Sequence, residues 1–162
     1  MAGCPALAML HSSPSPLPLS RIPPVLDSPL PVARRVFHNA HFTLEVNDAS
    51  GIVLCTRGER PFAAVREFEQ AMGEVCNVMD GLGRSRHAFL MDVRAATGRN
   101  DAAFDTAIIR MNHRSFGGFA KVGMLAQTAV GQLQLQRHAR HDGITRRISS
   151  DKAELWSYLQ RR

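Results

Sequence analysis

Three short apolar runs, separated by stretches with helical periodicity, constrain the fold of this chain most strongly. The runs cover residues 52–56, 88–93 and 122–126, and none of them shows the alternation of a half-exposed strand. Continuous apolar runs of this length are typical of strands that are covered on both faces. Between the first two runs, apolar residues recur every three or four positions, which predicts one amphipathic helix through Val65, Phe68, Met72, Val75, Met79 and Leu82.

The segment before the first apolar run has the pattern of a β-hairpin. Phe42, Leu44 and Val46 alternate with polar residues, and 47–51 has turn composition. After the run, Pro61 suits the first position of the long helix, because proline lacks a donor that this position does not need.

Capping residues mark the remaining helices. Asn100 and Asp101 precede a second helix, and Asp151 with Glu154 has the form of a capping box before a last one. Residues 128–141 are ambiguous because glutamine and leucine alternate there, but a threonine cap and the scarcity of β-branched residues favour a helix. Residues 144–148 then form a basic edge strand.

The predicted order of elements is therefore ββαβαβαβα. Strands that alternate with helices indicate an α/β fold, here a single domain with a mixed β-sheet and helices packed on it. The domain covers 32–162. Residues 1–31 contain eight of the nine prolines, interleaved with serines, and we expect them to form a disordered tail.

The cysteine count and the lengths of the apolar runs disfavour several classes of protein. Three cysteines without C-x-x-C spacing indicate neither a disulfide framework nor a cysteine zinc site. No apolar run approaches the ~18 residues that span a membrane, and no basic region precedes the short apolar stretch at 6–10. We therefore expect a cytoplasmic protein without a cleaved signal peptide.

The positive charge is concentrated near the C-terminus. The formal net charge is +6, and residues 121–162 carry eight basic against three acidic residues. Such a segment could contact nucleic acid or anionic lipid, but a solvated basic face is the better explanation, and we do not expect nucleic acid to be the partner.

Three local runs resemble the SpoIIAA-like, or STAS-like, family over roughly residues 40–160. They are F-L-M-D-V-R at 89–94, G-G-F-A-K-V-G-M-L at 117–125 and A-E-L-W-S-Y-L at 153–159. The resemblance implies a STAS-like fold, with either regulatory members such as anti-sigma-factor antagonists or a branch compared with Sec14-type lipid carriers.

The phosphorylation switch of that family does not match this sequence. The family has an aspartate followed by serine or threonine at the helix start, whereas Asp101 is followed here by Ala102 and Ala103. Alanine has no hydroxyl to phosphorylate, and Thr97 is the only hydroxyl nearby. We expect no phosphorylatable serine at this position.

Motifs for catalysis or metal binding are weak. G-x-S-x-G and H-E-x-x-H are absent, and we expect no enzymatic activity and no cofactor. Of the two H-x-x-H pairs, only His138 and His141 would share a helix face, and no third ligand is evident. A solvated basic face explains that pair better than a metal site.

The best predicted interaction surface follows the strand at 88–93, because ligands of open α/β sheets lie beyond the carboxyl ends of strands. It consists of Asp92, Arg94, Arg99 and Asp101, although an ion pair within the loop explains these residues as well. The next helix adds a second polar surface with Gln134, Arg137, His138 and His141. Leu133 and Leu135 cannot both face one core, so one of them could be exposed.

Two hypotheses for function follow. The first is a non-catalytic regulatory module of bacterial signalling that binds a protein partner through Asp92, Arg94, Arg99, Asp101, Gln134 and Arg137. The alternative is a protein that binds lipid or a small hydrophobic ligand, because methionine lines adaptable pockets and the predicted core contains Met72, Met79, Met91, Met111 and Met124.

Overall fold

The computed structural model describes residues 33–99 and 101–161. The strands are β1 (Arg34–His38), β2 (Phe42–Asn47), β3 (Ile52–Arg57), β4 (Ala88–Asp92), β5 (Lys121–Leu125) and β6 (Arg147–Ser149). The helices are α1 (Val65–Leu82), α2 (Ala102–Phe116), α3 (Ala129–Asp142) and α4 (Lys152–Gln160), and a short 3₁₀ turn covers Arg84–Arg86. The predicted tail, 1–31, and the domain boundary at residue 32 lie outside the described residues.

The six strands form one mixed sheet in the order β1-β2-β3-β4-β5-β6. β1, β2 and β3 pair antiparallel, and β3 to β6 pair parallel. The predicted α/β class with a mixed sheet is confirmed. The predicted order lacked β1, because its exposed arginines and the register shift between Arg35 and Phe37 give it no clear alternation.

The sequential order of the parallel strands determines where the helices lie. Right-handed crossovers that always step in the same direction along a sheet place their helices on one face. The side chains of α1 and α2, with Leu135 of α3, accordingly share one core with the sheet, and α4 packs on the opposite face with Ile52, Leu90 and Leu125. Alternate residues of β3, β4 and β5 serve the two cores.

The predicted caps at Asp101, Thr128 and Asp151 are confirmed, whereas the second half of the capping box is not formed, because the Asp151 amide donates to Ser149 and not to Glu154. Asp101 accepts a hydrogen bond from the amide of Ala103, and Thr128 accepts one from Gly131. Asp151 accepts from the amides of Ala153 and Glu154. These contacts satisfy donors that the first helical turn leaves free.

The predicted helix start at Pro61 is wrong. α1 begins at Val65, because the Phe62 ring packs against His41 with ring centroids 4.3 Å apart and holds the segment away from helical geometry. The Glu67 carboxylate accepts from the amide of Ala63 at 2.6 Å and so stabilises the approach to the helix.

Candidate functional site

A cavity of about 660 Å³ lies between the inner face of the sheet and the helices α1, α2 and α3. It extends to the loops that follow β3, β4 and β5, where the parallel strands end. Its wall is more apolar than polar and includes five phenylalanines and three methionines, Phe42, Phe62, Phe68, Phe104, Phe116, Met72, Met91 and Met124.

Aromatic packing forms one end of this cavity. The ring of Phe62 lies edge-on to Phe68 at 5.3 Å, and 6.2 Å from that of Phe104. Phe68 and Phe104 are buried on α1 and α2. Phe62 belongs to the loop after β3, so an irregular segment closes the apolar space between two helices.

Arg99 ties the loop after β4 to its surroundings. Its guanidinium donates to the carbonyl of Phe62 at 2.8 Å and to Asp101 at 3.1 Å, and it lies 3.9 Å from the centre of the Phe104 ring. Gln134 of α3 donates to the carbonyl of Arg99 at 3.2 Å. Through Arg99, the loop after β4 therefore contacts three other parts of the protein, namely helix α2, helix α3 and the segment that follows β3.

Asp92 and Arg94 form a second ion pair in this loop. The Arg94 guanidinium contacts both oxygens of Asp92, at 2.7 Å for the closest pair. Burial opposes ionisation of Asp92, but the hydrogen bonds from the Arg94 side chain and backbone outweigh it and lower the pKa of this carboxyl. The same hydrogen bond raises the pKa of Arg94.

Arg57, at the end of β3, adds a buried cation to the cavity wall. Its guanidinium donates to the carbonyls of Gly58 at 2.6 Å and His41 at 3.4 Å, and also to that of Arg60. It stacks 4.1 Å from the centre of the Phe62 ring. Backbone oxygens thus hold this side chain in place.

The opposite wall of the cavity carries buried polar side chains. Asn112 donates to Asp142 at 2.6 Å, and the Ser115 hydroxyl lies 3.8 Å from the Cys76 sulfur. His138 contacts Asp105 through Nε2 at 3.1 Å, while no residue in the described ranges bonds its Nδ1.

The structure separates the six residues predicted to bind a partner. Arg94, Arg99 and Gln134 line the cavity, whereas Asp92 and Asp101 hold the two arginines. Arg137 pairs with Asp105. Binding of a protein partner by these residues stays a prediction.

His138 does not belong to an exposed surface. The sequence placed it on a polar helix face with Gln134, Arg137 and His141, but it is only 3% exposed. The reason is that α3 packs on α2, where Asp105 accepts its hydrogen bond. Of the two leucines that cannot share one core, Leu133 is exposed, as expected, and Leu135 contacts the core.

Several cavity residues had no clear signal in the sequence, notably Arg57, Phe62, Phe104, Asn112 and Ser115. Each has an ordinary role in a turn or helix pattern. The methionines were the usable signal, since Met72, Met91 and Met124 all line the cavity.

The fold matches that of a solved protein. That structure is of an uncharacterized DUF3478-family protein with a SpoIIAA-like fold from Shewanella loihica PV-4, with a TM-score of 0.54 and 12% sequence identity. The match covers 76% of this chain and 98% of the other. The chain has a SpoIIAA-like fold.

Two other comparisons found no match. No protein-family model matches the sequence, and no curated protein matches it. Within 33–99 and 101–161, none of the helices combines the length and apolar character needed to cross a membrane.

Proposed function

We propose that this SpoIIAA-like protein is a non-catalytic, cytoplasmic module that binds a small hydrophobic ligand in the cavity. The observation that carries the proposal is the cavity itself. Its volume of about 660 Å³ falls within the range of ~300–1,000 Å³ that is usual for small-molecule sites.

The composition of the wall supports an apolar ligand. Phenylalanine rings provide rigid apolar surface, and the unbranched side chains of Met72, Met91 and Met124 can adjust to irregular shapes. Apolar side chains outnumber polar ones in the wall, and the polar groups, which include the buried Asn112, Ser115 and His138, would orient a ligand.

The buried Cys55 thiol does not favour covalent catalysis. Burial, together with the nearby Cys76, raises the pKa of the Cys55 thiol to about 12. A thiol of this kind stays protonated at neutral pH, and the thiolate is the nucleophilic form. This supports the non-catalytic part of the proposal.

The test is a fluorescence titration with N-phenyl-1-naphthylamine, a neutral probe that brightens in apolar surroundings. We expect saturable binding to the wild-type protein. Ile108→Trp should weaken it about tenfold or more, because Ile108 lines the cavity and the larger ring occupies ligand volume.

Leu133→Trp is the matched control, because Leu133 is 61% exposed on α3 and does not line the cavity. This variant should bind the probe like the wild-type protein. Equal binding by the wild-type protein and by Ile108→Trp would reject the cavity as the binding site.

A regulatory module that binds a protein is the second candidate function. The observation that favours it is the exposure of two large apolar side chains on α3, Val130 at 76% and Leu133 at 61%. They lie on the same helix as Gln134 and Arg137, which the sequence had assigned to a partner surface. Exposed apolar residues beside polar ones are common in protein interfaces.

Affinity capture from the native source with paired variants tests this second function. A true partner should be retained by the wild-type protein and by the control Gln70→Asp, which changes an exposed position on α1. It should be lost with Leu133→Asp and with charge reversal at Arg94 and Arg99. Retention by all variants would exclude this surface.

A further inference from the structure

The cavity is lined by positively charged side chains and not by negatively charged ones, within the described part of the chain. Among the described residues that line it, three are arginines, Arg57, Arg94 and Arg99, and neither aspartate nor glutamate contributes. A ligand that fills this space meets positive side chains at the end where β3 and β4 finish. Electrostatic complementarity therefore favours a ligand with negative charge.

Two of these arginines already have a counter-charge. Arg94 lies 2.7 Å from Asp92, and Arg99 lies 3.1 Å from Asp101. Arg57 differs, because no carboxylate of residues 33–99 or 101–161 lies within ion-pair distance of it. Its three hydrogen-bond acceptors are neutral carbonyl oxygens.

The Glu67 carboxylate acts electrostatically on the Arg57 charge, but its hydrogen bonds go to other groups. Its carboxylate binds the amide of Ala63 at 2.6 Å and the His41 ring at 2.9 Å. Burial lowers the pKa of Arg57, and the field of Glu67 opposes this only in part. A buried cation without a paired anion is costly, so an anion delivered to the cavity would be stabilised there.

We propose that the ligand is an amphiphilic monocarboxylate, with its apolar body among the phenylalanine and methionine side chains and its carboxylate against Arg57. This inference rests on the proposed function and specifies its ligand class. Of the three cavity arginines, Arg57 alone has no carboxylate partner within 33–99 and 101–161, and its single charge matches one negative charge. The position beyond the carboxyl ends of the strands is also where open α/β sheets bind ligands.

Competition against N-phenyl-1-naphthylamine by decanoate and by 1-decanol tests the proposal, because the two competitors share a ten-carbon chain and differ in charge. The measured quantity is the ratio of their affinities. Arg57→Met should reduce the decanoate-to-decanol ratio about tenfold or more, since a hydrogen bond to a charged group is lost. Arg66→Met removes an exposed arginine of α1 and should keep the wild-type ratio.

Arg57 also supports the loop after β3, so Arg57→Met could unfold the protein. Arg57→Lys keeps the charge but loses the planar, stacked guanidinium, so its ratio should lie between those of the wild-type protein and Arg57→Met. In the wild-type protein, the Nε–H resonance of Arg57 should shift with decanoate and stay in place with decanol. An unshifted resonance at saturating decanoate would overturn the proposal without any variant.

The outcomes separate the two claims. If the wild-type protein does not bind the probe at all, the proposed function fails, and the ligand class fails with it. If both compete but the ratio is the same in the wild-type protein, Arg57→Met and Arg66→Met, the cavity binds ligands and only the carboxylate assignment is wrong.

Discussion

Nε2 of His138 lies 3.1 Å from Oδ1 of Asp105, and this contact joins α3 to α2 beside the cavity. Because a carboxylate only accepts hydrogen bonds, Nε2 must be the protonated nitrogen. Asp105 also pairs with Arg137, so one carboxylate holds two side chains of α3. These contacts connect α3 to α2 beside the apolar space.

Asp105→Ala should therefore destabilise the protein. We expect the free energy of unfolding to fall by about 1–3 kcal/mol, because a buried histidine loses its acceptor. Urea unfolding followed by circular dichroism measures the change.

Asp48→Ala is the control for this variant, since the Asp48 and Arg34 side chains are 69% and 61% exposed and such pairs contribute about 0–1 kcal/mol. A loss for Asp105→Ala no larger than that of the control would contradict a role in docking α3.

The buried pair of Asp142 and Arg146 predicts a pH dependence of stability. Asp142 also accepts from the amide of Ile144 at 2.9 Å and from Asn112. Burial opposes its ionisation, but these hydrogen bonds and that from Arg146 outweigh it and lower its pKa. A carboxyl whose folded pKa is lowered stabilises the protein above its unfolded pKa, near 3.9, and loses this contribution as pH falls through the folded value.

Asp142→Asn should cost about 3–5 kcal/mol near neutral pH, because it leaves the buried Arg146 charge without its partner. The difference from the wild-type protein should shrink as pH falls below about 4. Urea unfolding at several pH values checks this, with Asp48→Asn as an exposed control. A difference that stays constant down to about pH 2 would contradict the assignment.

Two glycines should respond in opposite directions to a larger side chain. A Cβ on Gly123 of β5 would lie 3.3 Å from Leu90 and 3.4 Å from Leu159, whereas nothing lies within 4 Å of one on Gly81 of α1. Gly123→Val should destabilise the packing of α4 by about 1–3 kcal/mol. Gly81→Ala should stabilise α1 by about 0.5–1 kcal/mol, because alanine is the better helix former.

Thermal unfolding of both variants measures these changes. A melting temperature that Gly123→Val leaves unchanged would mean that α4 is packed less closely on β5 than the distances indicate.

Local patterns predicted most of the elements, because β4 is a continuous apolar run, α1 has a periodic apolar face, and α2, α3 and α4 begin at capping side chains. β1 was not predicted, because R-R-V-F-H has no clear alternation, and the start of α1 was predicted four residues too early, because the packing of Phe62 on His41 decides it. Arg57 looked like part of an ordinary turn.

The cavity, unlike the strands and helices, could not be predicted from local sequence patterns. It is a space left between three helices and a sheet, and no residue pattern encodes a space. Arg94 and Arg99 do follow the carboxyl end of β4, but their role in binding a partner stays a prediction, and the sequence could not show that these side chains border an apolar interior.

Methionine-methyl NMR tests the central claim most directly. Met72, Met91 and Met124 line the cavity, whereas Met79 is fully buried and does not. In wild-type protein with labelled methionine methyl groups, we expect 1-decanol to give intermolecular NOEs to the first three and none to Met79. Saturating decanol that leaves Met72, Met91 and Met124 unperturbed would contradict ligand binding in this cavity.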